Sequence, residues 1–216
     1  MKTTAYWWFL LTAVAVAVFF PLPYLLNSLE SMSDDGSLAA TYAPQGAAIR
    51  AAFYAHIVFG GLALLLSPFQ FAARIRNRLP VVHRVAGRIA LVSILVAGVS
   101  GAVIAPLNSA GAIGTAGFGS LAVLWVAFAV MAFAAIRKGD VEAHRGWATR
   151  VFALTYAGVM LRLWLVVLMP ALGSFEAAYA IVPFLCWVPN LVVAEWFVRR
   201  SRRSPGRAAG AVRPLA

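Results

Sequence analysis

The sequence predicts an all-α fold, a polytopic membrane helix bundle of six transmembrane helices, and three observations carry that prediction. Of the 216 residues, 62% are hydrophobic and only 12% are charged, whereas soluble domains carry roughly a quarter charged residues. The mean hydropathy of +0.85 implies more apolar surface than one soluble core of this length hides, so the solvent is lipid. The apolar residues also fall into six runs, each near the roughly 20 residues a helix needs to cross hydrocarbon, with the arginines gathered between them.

The first run, 6–26, is longer than the roughly 7–15 residues of a signal-peptide core. It closes on Pro21, Pro23 and Tyr24 and reads as a retained helix. Residues 27–45 are polar and rich in Ser, Asp and Gly, so they read as an external loop without a fold of its own. The second span, 51–73, carries His56, and Gly60, Ala63 and Ser67 continue the same helical face as a small-residue strip that lets another helix approach. Near its end Pro68 removes a backbone donor and points to a kink. Pro80 suits the first turn of the helix that carries the third span, 85–107. After the fourth span, 116–136, Asp140 is a natural N-cap for the helix of the fifth span, 147–169. The sixth span, 177–198, is interrupted by Pro183 and Pro189, and Glu195 is expected to pair with a nearby arginine. Residues 1–200 thus form one transmembrane domain, and 201–216 a basic, disordered cytoplasmic tail.

Orientation follows from the loops. Arg74, Arg76, Arg78 and Arg84 follow the second span; Arg137, Lys138 and Arg145 follow the fourth; six more arginines lie from Arg199 onward. The opposite loops hold Arg50 with Glu30, Asp34, Asp35 and Glu176. Lys and Arg collect on the cytoplasmic side, which puts both termini there. A net charge of +11 does not indicate nucleic acid, because the basic residues are not gathered on a polar domain or interleaved with aromatics. The expected partners are the lipid bilayer and anionic lipid headgroups, with membrane-complex subunits or a homo-oligomer also open. Cys186 is the only cysteine, which excludes a disulfide framework and a CxxC redox pair.

Two segments, 71–91 and 133–154, match. Each leaves a helix, crosses a basic loop and enters the next helix through His-Arg and then Arg: His83, Arg84 and Arg88 in one, His144, Arg145 and Arg150 in the other. Spans two to five therefore read as a duplicated helical hairpin with a pseudo-twofold axis along the membrane normal. His83 and His144 then sit at matching depth, as the two axial ligands of one b-type haem iron would. Gly87 and Ala148 lie one turn on and leave room beside the rings, and the four arginines are candidates for the propionates. The alternative is that both His-Arg pairs anchor the helices at the headgroup boundary.

His56 has no histidine counterpart in the repeat, and the start of the loop beyond its helix, Arg74, already lies about 27 Å along the axis. Arg162 lies within the fifth span, where a charge lines a cavity or has a partner. His56, Tyr54, Tyr156 and Glu176 are the candidate partners, and His56, Arg162, Tyr54 and Tyr156 form a candidate external polar pocket. No GxSxG elbow, Walker loop, HExxH helix or paired carboxylate occurs.

The order of His56, then Ser67-Pro68-Phe69-Gln70, His83-Arg84 with Gly87-Arg88, His144-Arg145 with Trp147 and Arg150, and finally Arg162 resembles an uncharacterised bacterial family of predicted membrane proteins, domain of unknown function 2306. The resemblance covers about residues 56–168. It implies a multi-pass protein of the bacterial cytoplasmic (inner) membrane and brings no activity with it. Three functions remain open from the residues: binding of one b-type haem or related redox group between the hairpins, a non-enzymatic carrier or lipid-interacting scaffold built around Arg162, or a structural subunit of a larger membrane complex.

Overall fold

Each apolar run folds as helix, and six segments among the described residues are long and apolar enough to cross a membrane: Thr4–Leu26, Ala47–Phe71, Pro80–Leu107, Gly111–Arg137, Val141–Leu172 and Phe175–Ser201. The computed structural model describes residues 3–34 and 38–202, and no strand occurs among them. The basic tail from residue 203 onward lies outside the described residues, while Ser201 and Arg202 still belong to the last helix. In chain order the helices are α1 (Thr3–Phe19), α2 (Leu22–Leu26), α3 (Leu38–Tyr42), α4 (Ala47–Phe71), α5 (Ala73–Arg78) and α6 (Pro80–Ile104). They continue with α7 (Gly111–Arg137), α8 (Val141–Thr155), α9 (Ala157–Leu172), α10 (Phe175–Leu185) and α11 (Val188–Arg202).

The bundle is apolar outside and small inside. Val166 and Leu26 are each 73% exposed, while Ala13, Ala97 and Ala178 have no exposure. Hydrocarbon accepts the large side chains, and small residues inside let helix backbones approach. Along the small-residue face of α4, Gly60 meets the Ala97 methyl of α6: a Cβ at Gly60 would stand 3.9 Å from it. One face of Gly61 rests on the backbone of α1, where an added Cβ would lie 3.3 Å from the Ala17 carbonyl oxygen. That carbonyl is the one Pro21 leaves without its helical N–H, and here α1 gives way to α2.

Several spans are bent or broken, and each break has a local cause. Pro68 sits inside α4, and the carbonyl it frees, that of Leu64, accepts the Ser67 hydroxyl at 3.0 Å. In the fifth span α8 passes into α9 at Tyr156. One residue earlier, Thr155 donates back to the Val151 carbonyl at 2.8 Å and accepts the Trp125 indole N–H at 2.9 Å. Such back-bonding bends helices. The sixth span breaks at Cys186 and Trp187, between Pro183 and Pro189. Asn190 bridges the gap, its amide donating to Cys186 O at 3.0 Å and to Ala153 O of α8 at 3.3 Å.

The turn from α7 into α8 is short because one glycine makes it. Gly139 has φ +78°, a left-handed conformation that glycine adopts without strain. Asp140 follows as the N-cap, its Oδ1 accepting from Ala143 N at 2.8 Å, and Pro80 stands at the start of α6. The segment 27–45 departs from expectation. Leu29, Ala39 and Tyr42 are buried together with Phe53 and Ile104, and Tyr42 stacks on Phe53 with ring centroids 4.4 Å apart. Interspersed apolar residues in a polar stretch were enough to dock it on the bundle.

Candidate functional site

A cavity of about 280 Å³ lies in the half of the bundle away from the arginine loops. The break after α1 turns Phe20 and Tyr24 to it, the docked α3 supplies Tyr42, α4 supplies His56, α9 supplies Arg162 and α10 supplies Tyr179. Its walls are mainly apolar and aromatic, with Trp125 and Thr155 of the bend deeper along the same space. Burial, and after it the neighbouring Tyr179, pushes the Tyr42 hydroxyl up to about 12, so it remains a neutral hydrogen-bonding group.

Among the described residues Arg162 is the one formal charge lining this space. Its Nη1 donates to Gly158 O one turn back at 2.8 Å, and its guanidinium carbon stands 4.8 Å from the centre of the Phe20 ring. Among the described residues no carboxylate lies within ion-pair distance of it. Two acids among the described residues form ion pairs away from it: Glu30 with Arg50 at 2.7 Å, and Glu195 with Arg150 and Arg199. A cation–π contact and a single carbonyl offset only part of the cost of taking a guanidinium out of water. Most of its five N–H donors remain for something that enters the cavity.

His56 faces the same space from α4. Its Nδ1–H donates to Ala97 O of α6 at 2.9 Å. The ring lies so close to α6 that a Cβ on Gly101 would stand 2.8 Å from Nδ1. Only a glycine there admits the imidazole. With the proton fixed on Nδ1 by a carbonyl that only accepts, Nε2 of the neutral ring is an acceptor.

Of the partners expected for Arg162, His56 alone shares its cavity. Tyr54 packs edge-on against Phe53 at 5.6 Å, in the cluster under the docked loop, and does not line the space. The Tyr156 side chain is buried on the α1 side, its hydroxyl 2.8 Å from Thr12 Oγ1. Glu176 is exposed in the first turn of α10. Helical position alone does not tell which flank of a bent span a side chain leaves from. The residues missed were Phe20, Tyr24, Tyr42 and Tyr179; the proline pair after Phe20 was the available signal that this segment breaks away from a straight helix.

At the other end of the bundle, His83 and His144 are half-buried and near enough to act on one another electrostatically. The surroundings do not fit a haem between them. The space beside Gly87 holds the Gln70 carboxamide, whose Oε1 would stand 3.1 Å from an added Cβ. Arg150 is buried, with its Nη2 2.6 Å from Glu195 Oε2 and its guanidinium 4.7 Å over the Trp147 ring. Arg84, Arg88 and Arg145 are exposed. His144 Nδ1 is 2.9 Å from Ala132 O, while His83 Nδ1 and Gln70 Nε2 are buried without a hydrogen-bond partner among the described residues. Neither histidine lines the cavity, and no group of three or more potential metal ligands occurs among the described residues.

The family model described as predicted membrane protein (DUF2306) matches residues 53–198, a stretch that includes His56, both His-Arg pairs and Arg162. No curated protein and no solved structure matches the chain.

Proposed function

The chain belongs to the DUF2306 family of predicted membrane proteins, and we propose that it binds a small lipophilic anion in the cavity around Arg162, as a carrier or receptor rather than as an enzyme. The observation that carries this reading is a guanidinium without a carboxylate partner among the described residues, lining an aromatic space of about 280 Å³. A cavity at the small end of the range for ligand pockets, roughly 300–1,000 Å³, suits a ligand of about one ring. An oxyanion there completes the donors of Arg162, and charge-assisted hydrogen bonds in a water-poor site are the strong ones.

In this reading both termini are cytoplasmic and the membrane is the bacterial inner one. The arginine-rich loops then meet anionic headgroups, and the cavity opens in the outer half of the bundle. The same reading takes spans two to five as a duplicated hairpin, supported by the two His-Arg entrances. Haem is the weaker reading, since the four arginines and the space beside Gly87 do not offer a porphyrin the setting it needs.

The test is calorimetric titration of purified protein in nanodiscs with benzoate and with benzyl alcohol, a neutral ligand of similar shape. Benzoate is expected to bind at least tenfold more tightly, as a hydrogen bond to a charged group implies, and Arg162→Gln is expected to erase that preference while eluting as a monodisperse peak. Equal affinities in the wild-type protein would overturn the reading.

A further inference from the structure

The cavity offers more than a counter-charge, because a donor-rich cation and a hydrogen-bond acceptor line the same aromatic space. Arg162 presents N–H groups beyond the one given to Gly158 O. His56 presents Nε2, the ring nitrogen left over once Nδ1–H is committed to Ala97 O at 2.9 Å. Nothing in the described protein donates to Nε2, and the ring cannot turn away, since its Nδ1 edge is seated on Gly101 with room for no Cβ. The Asn108 amide, which also lines the space, is occupied: its Oδ1 accepts from Ala110 N at 2.8 Å and its Nδ2 donates to Ala105 O. The walls between are rings, among them Phe20, Tyr24, Phe118 and Tyr179. A simple carboxylate satisfies Arg162 and leaves Nε2 bare, whereas a buried acceptor left unpaired costs affinity.

Resting on the reading above, we infer that the ligand is an aromatic hydroxycarboxylate, whose carboxylate meets Arg162, whose ring lies among the aromatic walls and whose O–H donates to His56 Nε2. A monoanion balances the single positive charge of Arg162, so the site stays neutral with His56 uncharged. No proton is transferred in this binding, and no bond is made or broken. His56 is thus a specificity-determining residue, and Gly101 the residue that positions it.

The experiment compares benzoate with its three monohydroxy isomers and the corresponding methoxy compounds on wild-type protein in nanodiscs. At least one hydroxybenzoate is expected to bind about five- to tenfold more tightly than benzoate, the scale of one neutral hydrogen bond. Its methyl ether, which lacks the donor, should lose that gain. Within His56→Phe the ratio of hydroxybenzoate to benzoate affinity should fall to within about twofold of one. The ether comparison needs no variant, so a gain kept by the ethers overturns the inference even where His56→Phe does not fold. If no isomer exceeds benzoate, or if either the ethers or His56→Phe keep the gain, the inference is overturned. Benzoate binding that depends on Arg162 would then still stand, whereas the failure of every anion to bind would overturn both.

Discussion

A guanidinium inside a helix bundle has to be satisfied, and Arg162 obtains from the described residues one carbonyl and one ring face. His56, by contrast, is held from two sides, by Ala97 O and by the absent side chain of Gly101. Gly101→Ala therefore places a methyl 2.8 Å from Nδ1 and must push the ring off its carbonyl. The expected cost is about 1–3 kcal/mol of stability, as for other overpacked sites, read as a lower melting temperature in detergent. The identities of both polar residues were legible in the sequence, because a charge or an imidazole inside an apolar run stands out. Their surroundings were not: Tyr54 and Tyr156 lie close to them in sequence, yet packing against Phe53 and Thr12 turns both away, and Tyr42 and Tyr179 reach the cavity from distant segments.

Among the elements, the joints make the most exposed targets for mutation. Gly117 of α7 lies against the proline of the broken sixth span: an added Cβ would stand 2.6 Å from Pro183 Cβ and 2.9 Å from its carbonyl oxygen. A backbone neighbour cannot swing aside as a flexible side chain can, so Gly117→Ala is expected to destabilise by about 1–3 kcal/mol, measured by thermal unfolding. Fifth and sixth spans are also tied by Arg150 and Glu195, whose side chains are 11% and 30% exposed. Between the near-zero value of surface pairs and the several kcal/mol of buried ones, Glu195→Gln should cost about 1–3 kcal/mol. Arg199→Ala, at a 71% exposed partner, should cost under about 0.5 kcal/mol. The helix boundaries set by Pro80 and Asp140 were readable because their mechanisms are local, and so was an arginine partner for Glu195. Arg199, one turn on in the same helix, is a partner that local spacing encodes, whereas Arg150 as the second partner depended on how two bent helices meet.

At the scale of the whole molecule, six apolar runs became six spans because their length and hydropathy leave no other way to satisfy the backbone in lipid. The docking of 27–45 was not legible, since Leu29, Ala39 and Tyr42 are scattered singly in a polar stretch and their burial depends on Phe53 and Ile104 of two other helices. The proposed orientation predicts that a cysteine at Ser31 reacts with an impermeant maleimide on intact cells, and one at Lys138 only after permeabilisation. The central claim, that this bundle holds an anion against Arg162, is tested most directly by titrating benzoate onto wild-type, Arg162→Lys and Arg162→Gln proteins in nanodiscs. The account predicts loss of at least tenfold in affinity for Arg162→Gln, with Arg162→Lys falling between it and the wild type, because a positive charge is retained without the guanidinium fork. Affinities that are the same in all three proteins would contradict it.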